Sequence, residues 1–251
     1  MQDALHAYLL RLGDNTLILG QRLSEWCGHA PALEEDIALA NIALDLIGQT
    51  QLWLGAAGKI NGIEKTADDL AFHRDVYDFY NLLIVEQPNR DFGHTMMRQF
   101  LFDSFHLLQL TELQSSSNQS IKEIAEKAIK EVSYHLERST ETVIALGDST
   151  EEGHSRMQNA LNRLWPYVGE AFHDDDVDKA IAEAGVGPLP SDLKPKFDNT
   201  VAAVLEQAML NIPTSDFAHK GGKSGAMHSE HLGHLLAQMQ YLQRAYPDAR
   251  W

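Results

Sequence analysis

The spacing of apolar residues over the first 150 positions most constrains what this chain can fold into. Apolar side chains recur three and four positions apart between residues 3 and 26, and again from Leu33 to about residue 60. This spacing places them on one face of a helix. Pro31 and Pro88 are the only prolines in these 150 residues, and no alternating strand pattern is found. We therefore predict long antiparallel helices and an all-α fold.

Further helices are predicted along the rest of the chain. The first lies in the stretch 70–91, where Pro88 ends the helical segment and Asp91 caps the next helix. The others are a helix from Ser120 to Gly147 and a final helix through Leu232 and Leu242 to Pro247. Six of the eight prolines fall after residue 160, which predicts shorter helices packed outside the bundle. With 251 residues, the chain is long enough to bury a large core, and we predict one domain over residues 1–251.

Composition restricts the partners and the compartment. The formal net charge of -16 argues against nucleic acid and anionic membrane surfaces as partners. The single Cys27 cannot form an internal disulfide, and the N-terminal stretch lacks the pattern of a signal peptide. We expect a cytoplasmic protein with no membrane span.

Two stretches predict central helices that carry isolated polar groups. "IALANIALDLIGQ", residues 37–49, places Asn41, Asp45 and Gln49 on one stripe of an otherwise apolar helix. "FLFDSFHLLQL", residues 100–110, contains Asp103 and His106. A buried carboxylate is costly unless it is paired, hydrogen-bonded or bound to metal. We expect Asp45 to face the bundle interior.

These polar groups raise the question of a di-iron carboxylate site. Such a site needs one carboxylate from each of two helices, and a carboxylate with a His three positions later from each of two others. Asp103 and His106 have that spacing, but Gly48 stands three positions after Asp45, and Val132 stands three before His135, with Glu131 four before it. We interpret Asp45, Asp103, His106, Glu131 and His135 as remnant ligand-like positions in a hydrogen-bonded polar cluster or in surface pairs, while a functional metal site remains the alternative.

The C-terminal part contains two further candidate sites. "HKGGKSG" places Lys220, Gly221, Gly222 and Lys223 just before a helix, where amides and charge could hold a coenzyme A phosphate at a subunit boundary. A flexible loop is the simpler interpretation. "HSEHLGH" has three histidines at successive spacings of three. On a helix they could bind one zinc ion together only with distortion, so we favour capping and surface packing there.

Several long blocks of the sequence resemble the PaaC family of phenylacetate degradation proteins, the C subunits of bacterial phenylacetyl-CoA epoxidases. The blocks are "LRLGDNTLILGQRLSEWCGHAPALEEDIALANIALDLIGQ", "NLLIVEQPN", "KAIKEVSYHLERS", "LNRLW" and "GGKSGAMHSEHLGHLLAQMQYLQRAYP". The resemblance covers essentially the whole chain. It implies a ferritin-like bundle of long antiparallel helices.

The resemblance also implies a role within a multicomponent monooxygenase. In that system a related catalytic subunit holds the di-iron centre that epoxidises the aromatic ring of phenylacetyl-CoA. A further small subunit completes the assembly, together with a reductase that carries flavin and an iron–sulfur cluster and takes its electrons from NADPH. Members of the PaaC family resemble the catalytic subunit in fold, lack its metal site and support it in a tight complex.

We therefore predict a non-catalytic structural subunit with no cofactor of its own. Its expected partners are the catalytic subunit, the larger complex with the small subunit and the reductase, and in one candidate contact the coenzyme A tail of the substrate. Two alternatives remain open at this point. One is a di-iron oxygenase that uses its own metal site, and the other is a ferritin-like binding or storage module that assembles with itself.

Overall fold

The computed structural model describes residues 1–62, 64–215, 217–247 and 249, and every regular element within those ranges is a helix. The α-helices are α1 (Gln2–Ser24), α2 (Leu33–Ala57), α3 (Ala67–Phe72), α4 (Leu83–Glu86), α5 (Phe92–Leu113), α6 (Gln119–Gly147), α7 (Glu151–Leu164), α8 (Asp176–Glu183), α9 (Pro190–Gln207), α10 (Glu230–Met239) and α11 (Tyr241–Ala245). Short 3-10 turns lie at Ile60–Gly62, Val76–Asp78, Trp165–Tyr167, Gly169–Phe172 and Gly222–Ser224. The predicted all-α architecture is confirmed for the described ranges.

The chain divides into two compact units. The first consists of Met1–Gln87 and Lys220–Trp251, and the second consists of Pro88–His219. The single domain over residues 1–251 stays a prediction.

The first unit is built on a hairpin of α1 and α2, which pack along their lengths. Glycines allow the two backbones to approach closely. A Cβ added to Gly13 would lie 2.5 Å from the Leu54 side chain, and one on Gly20 would lie 3.3 Å from Ile47. Since the later residue of α1 meets the earlier part of α2, the two helices run antiparallel.

The continuous helical segment predicted over residues 70–91 is wrong. The structure has α3, a 3-10 turn, an extended stretch and the single turn of α4 there. The cause lies in α1, because the amides of Tyr80 and Leu82 donate to the side chains of Asp14 and Asn15 at 2.9 and 2.8 Å. Side chains that capture backbone donors in this way compete with helix formation.

The second unit is built on a hairpin of α5 and α6, with α7 and α9 packed against α5. The predicted cap is confirmed, since Asp91 accepts a hydrogen bond from the amide of His94 at 2.7 Å. Asn118 caps α6 in the same way, and the helix begins at Gln119, one residue before the predicted start. The shorter helices predicted after residue 160 are also present.

The predicted final helix of the first unit is divided at Gln240. The Gln240 amide is buried and donates to the carbonyls of Ala71 and Arg74 at 3.0 Å. These bonds tie the junction of α10 and α11 to the end of α3.

Candidate functional site

Asp103 lies in the core of the second unit, where neutral side chains hold its carboxyl group. Gln99 Nε2 donates to its Oδ1 at 2.7 Å, and Ser139 Oγ of α6 lies 3.1 Å from its Oδ2. Complete burial raises the pKa of Asp103 well above its usual value, against the smaller lowering effect of these two hydrogen bonds. Ser139 Oγ is also 3.2 Å from the Leu136 carbonyl. The single hydroxyl hydrogen of Ser139 is therefore shared between Asp103 Oδ2 and the Leu136 carbonyl.

The histidines predicted beside Asp103 are also buried. Desolvation, and to a smaller extent the nearby His135, lower the pKa of His106 to about 3. His106 is therefore a neutral imidazole, packed with its ring centroid 5.1 Å from that of Phe102. Among the residues that the structure describes, its Nδ1 is buried without a hydrogen-bond partner. His135 is fully buried on α6.

These residues do not fit a di-iron centre. Asp103 is the one carboxyl of the remnant set that is buried in the second unit, and its protonated form is favoured. Glu131 is half-buried, and the position three before His135 is filled by the buried Val132. Within the described ranges, no group of three or more His, Cys, Asp or Glu side chains is arranged to hold a metal ion. We derive no chemical step through iron in this chain.

The prediction that Asp45 faces the bundle interior is wrong. Gln49, at one end of the predicted stripe, is buried, but Asp45 is half-buried and Asn41 is exposed. The helix α2 is apolar around its circumference because it has two apolar faces. One packs in the first unit through residues such as Leu39, and the other is open.

The open face of α2 carries large aliphatic side chains in water. Leu33, Ile37 and Leu44 are 72, 53 and 66% exposed. Farther along the helix, a Cβ added to Gly48 or Gly55 would meet no atom of the described residues within 4 Å. We name Leu33, Ile37, Leu44, Gly48 and Gly55 the open face of α2. Exposed apolar surface of this kind marks sites that other proteins cover.

The helix α2 is also long enough and apolar enough to cross a membrane. Among the described residues it is the one helix that meets this criterion, which uses length and composition alone. Half of its most apolar 18-residue window is buried inside the protein.

The candidate phosphate loop is packed into the first unit. Lys220 is exposed, but Lys223 is buried, and its carbonyl accepts a hydrogen bond from Arg11 Nε at 2.9 Å. A Cβ on Gly222 would lie 2.5 Å from the Asn81 carbonyl, and Gly221 has a φ of 130°. The glycines thus serve close packing and a turn. Coenzyme A binding by Lys220, Gly221, Gly222 and Lys223 stays a prediction.

Sequence reasoning missed a buried polar cluster in the first unit. The Glu86 and His228 side chains are 0 and 1% exposed, and Glu86 Oε1 lies 2.5 Å from His228 Nδ1. The Ser229 amide and hydroxyl donate to Glu86 Oε2 at 2.8 and 2.6 Å, and Asn81 Nδ2 donates to Oε1 at 3.0 Å. The surface position expected for His228 is therefore wrong. Its partner is 142 positions away, so no local pattern could have indicated it.

Comparisons with known proteins agree with the helical architecture. A family model described as "Phenylacetic acid catabolic protein" matches residues 1–251. The chain is 47% identical over 249 residues to the C subunit of 1,2-phenylacetyl-CoA epoxidase from Escherichia coli (strain K12), with 99% of this chain and 100% of that protein covered. The predicted ferritin-like fold class is confirmed by the helical structure together with the family match.

A family model that spans every residue and a full-length relative at 47% identity lead to the same conclusion. This chain belongs to the phenylacetic acid catabolic protein family.

Proposed function

We propose that this chain is a non-catalytic structural subunit of a cytoplasmic, multicomponent phenylacetyl-CoA 1,2-epoxidase. It forms a stable complex with the di-iron catalytic subunit, and through that complex it joins the small subunit and the reductase. The name of the relative from Escherichia coli supports the epoxidase and the multisubunit assembly. The structural role rests on two features of this chain.

The open face of α2 is the observation that carries the proposal. A 25-residue helix that leaves Leu33, Ile37 and Leu44 in water gains stability when another surface removes them from it. Gly48 and Gly55 have open space above them, so a partner helix can approach the α2 backbone closely there. We assign this face to the contact with the catalytic subunit.

The donor groups in the second unit support the non-catalytic part of the proposal. Asp103 is held by Gln99 and Ser139, and its protonated form is favoured, whereas an iron ligand must be ionised. Val132 and Gly48 replace side chains that a complete ligand set would need. The chemistry of the complex is therefore assigned to the catalytic subunit, which this chain stabilises.

Co-expression with the catalytic subunit tests the proposal. The informative variant is Leu44→Arg, because the side chain is exposed and Arg favours a helix about as well as Leu does, so the isolated chain should remain folded. Leu242→Arg is the matched control on α11, where Leu242 is 46% exposed. We expect the wild type and Leu242→Arg to co-elute with the catalytic subunit, and Leu44→Arg to elute alone.

The two parts of the proposal fail in different ways. If the wild-type chain does not co-elute with the catalytic subunit, and the epoxidase is active without it, the structural role is wrong. If wild type and Leu44→Arg co-elute equally, the assignment of the α2 face is wrong. Two irons per purified chain would establish the di-iron alternative, and self-assembly with no preference for the catalytic subunit would establish the storage alternative.

A further inference from the structure

The contacts around Glu86 and His228 determine how many protons the two side chains share. His228 Nε2 lies 3.0 Å from the Phe79 carbonyl, which has no proton to donate, so Nε2 carries a hydrogen. His228 Nδ1 lies 2.5 Å from Glu86 Oε1. Two bare lone pairs at this distance would repel, so one proton lies between Nδ1 and Oε1.

The donors around Glu86 favour its ionised form. Oε1 also accepts from Asn81 Nδ2, and Oε2 accepts from both the amide and the hydroxyl of Ser229. With these donors in place, neither carboxylate oxygen needs a proton of its own. The shared proton therefore belongs to His228, and the pair is a buried imidazolium and carboxylate.

This pair joins two segments of the first unit that are distant in sequence. Residues 77–86 lie between α3 and α5, and residues 220–240 include the glycine-rich loop and α10. The same two segments meet where a Cβ on Gly225 would lie 3.0 Å from the Tyr77 carbonyl. Apart from His228 and Ser229, these segments are also linked through Arg22 of α1, which donates to the carbonyls of Glu86 and His231 at 2.8 and 3.2 Å.

We propose that Glu86 and His228 form a clasp that binds one proton and holds residues 220–240 against residues 77–86, and that this clasp loosens as the pH rises. When the segment detaches, His228 enters water. It then releases its proton at any pH above the ordinary pKa of a histidine, near 6.5. Detachment then releases one proton, so the opening equilibrium rises about tenfold per pH unit.

Other charged groups packed near the clasp leave its charge unchanged. Arg22 pairs with Glu25 at 2.8 Å, and Arg74 pairs with Asp14. Each of these two arginines therefore has its own counter-ion. The remaining charged or titratable groups within residues 77–86 and 220–240 are Tyr77, Asp78, Tyr80, Lys220, Lys223, Glu230, His231 and His234. From α1, Arg11 donates to the Lys223 carbonyl. Among the hydrogen bonds described to the Glu86 carboxylate, His228 supplies the one from an ionisable side chain.

Nitrogen NMR of the full chain labelled with ¹⁵N-histidine tests the proton directly. The His228 signals are assigned by their loss in His228→Gln. We expect the ring signals of His228 to stay unchanged between pH 6 and 8.5, because the clasp keeps its proton. A ring that titrates near pH 6.5 would overturn the proposal.

Hydrogen exchange of residues 220–240 tests the loosening. After division by the exchange rate of an unstructured reference peptide, we expect opening to increase about tenfold per unit between pH 7 and 8.5. Glu86→Gln should abolish this slope, since a Gln amide can donate to neutral His228 without a shared proton. His73→Gln is the matched control, because His73 forms an exposed pair with Asp69 at 3.6 Å, and it should leave the slope unchanged. An unchanged slope in Glu86→Gln, or no slope in the wild type, would contradict the clasp.

Discussion

The helices α2 and α5 have similar apolar patterns but different surroundings. Both are apolar around most of their circumference, which predicts a central position for each. In the structure α5 is buried on nearly every side through its middle, including the polar residues Gln99, Asp103 and His106, whereas Leu33, Ile37 and Leu44 of α2 lie in water. An apolar circumference thus indicates burial without saying which chain provides it. For α2 we assign the second covering surface to a partner.

The largest difference between the two helices should appear in the free energy of unfolding when a charged side chain is introduced into each. Leu101→Arg on α5 places an unpaired guanidinium in the core, since Leu101 is 2% exposed, and should lower the free energy of unfolding by about 4 kcal/mol or more. Leu44→Arg on α2 should change it by less than about 0.5 kcal/mol. Urea denaturation of the isolated variants measures both. Equal losses would show that the α2 face is covered within the chain.

Acid should destabilise the second unit through His106. Its pKa is about 3 in the folded chain against 6.5 for an ordinary histidine, so the unfolded state binds more protons below pH 6.5 and stability falls with pH. At pH 4.5, two units below 6.5, the loss from His106 is about 3 kcal/mol.

The His106→Leu variant should remove that part of the acid sensitivity. The quantity to compare is the difference in unfolding free energy between pH 7 and pH 4.5, measured in urea for each variant. His234→Gln changes an exposed histidine of α10 and should leave the difference close to that of the wild type. If His106→Leu retains the full difference, His106 is charged in the fold and its described environment is wrong.

Neutralising the two aspartates should give effects of different size. The pKa of Asp103 is raised by burial, so the folded state holds a proton that the unfolded state releases above pH 3.8, and this carboxyl reduces stability as the pH rises. Asp103→Asn retains the neutral pattern and should stabilise the chain at pH 7 by about 1 kcal/mol or more. Asp45→Asn changes a half-buried group and should stay within about 0.5 kcal/mol. Thermal melts at pH 7 would contradict this if Asp103→Asn melted lower than the wild type.

The smallest expected effects concern glycines. Gly48→Ala meets open space and should stabilise the isolated chain by about 0.5 to 1 kcal/mol, because Ala loses less backbone entropy in a helix. Gly13→Ala is the opposite case on α1, since its Cβ would lie 2.5 Å from Leu54, and it should destabilise the chain. Melting temperatures that shift in the same direction from the wild type in both variants would contradict the open space above Gly48.

The long helices could be predicted because their evidence is local. The apolar spacing predicts α1, α2 and α6 close to their observed ends, and the Asp91 cap predicts the start of α5. The burial of Asp103 and His106 follows from the apolar residues around them. The helix predicted over residues 70–91 is wrong because Asp14 and Asn15, more than 60 positions away, take its backbone donors. The pair of Glu86 and His228 escapes prediction for the same reason.

Asp45 shows a second limit of sequence reasoning. The polar stripe of Asn41, Asp45 and Gln49 is expected in the interior because its neighbours are apolar on every side. Only Gln49 is buried, since the stripe runs from the packed face towards the open one. A sequence does not distinguish apolar surface covered by its own chain from apolar surface that a partner covers.

Side-chain footprinting by hydroxyl radicals tests the central claim most directly. It compares oxidation of Leu33, Ile37 and Leu44 in the isolated chain and in its complex with the catalytic subunit, with the exposed Leu242 as internal reference. The account predicts high oxidation of the three α2 residues in the isolated chain and strong protection in the complex, with Leu242 unchanged. Equal oxidation of the α2 residues in both states would contradict it.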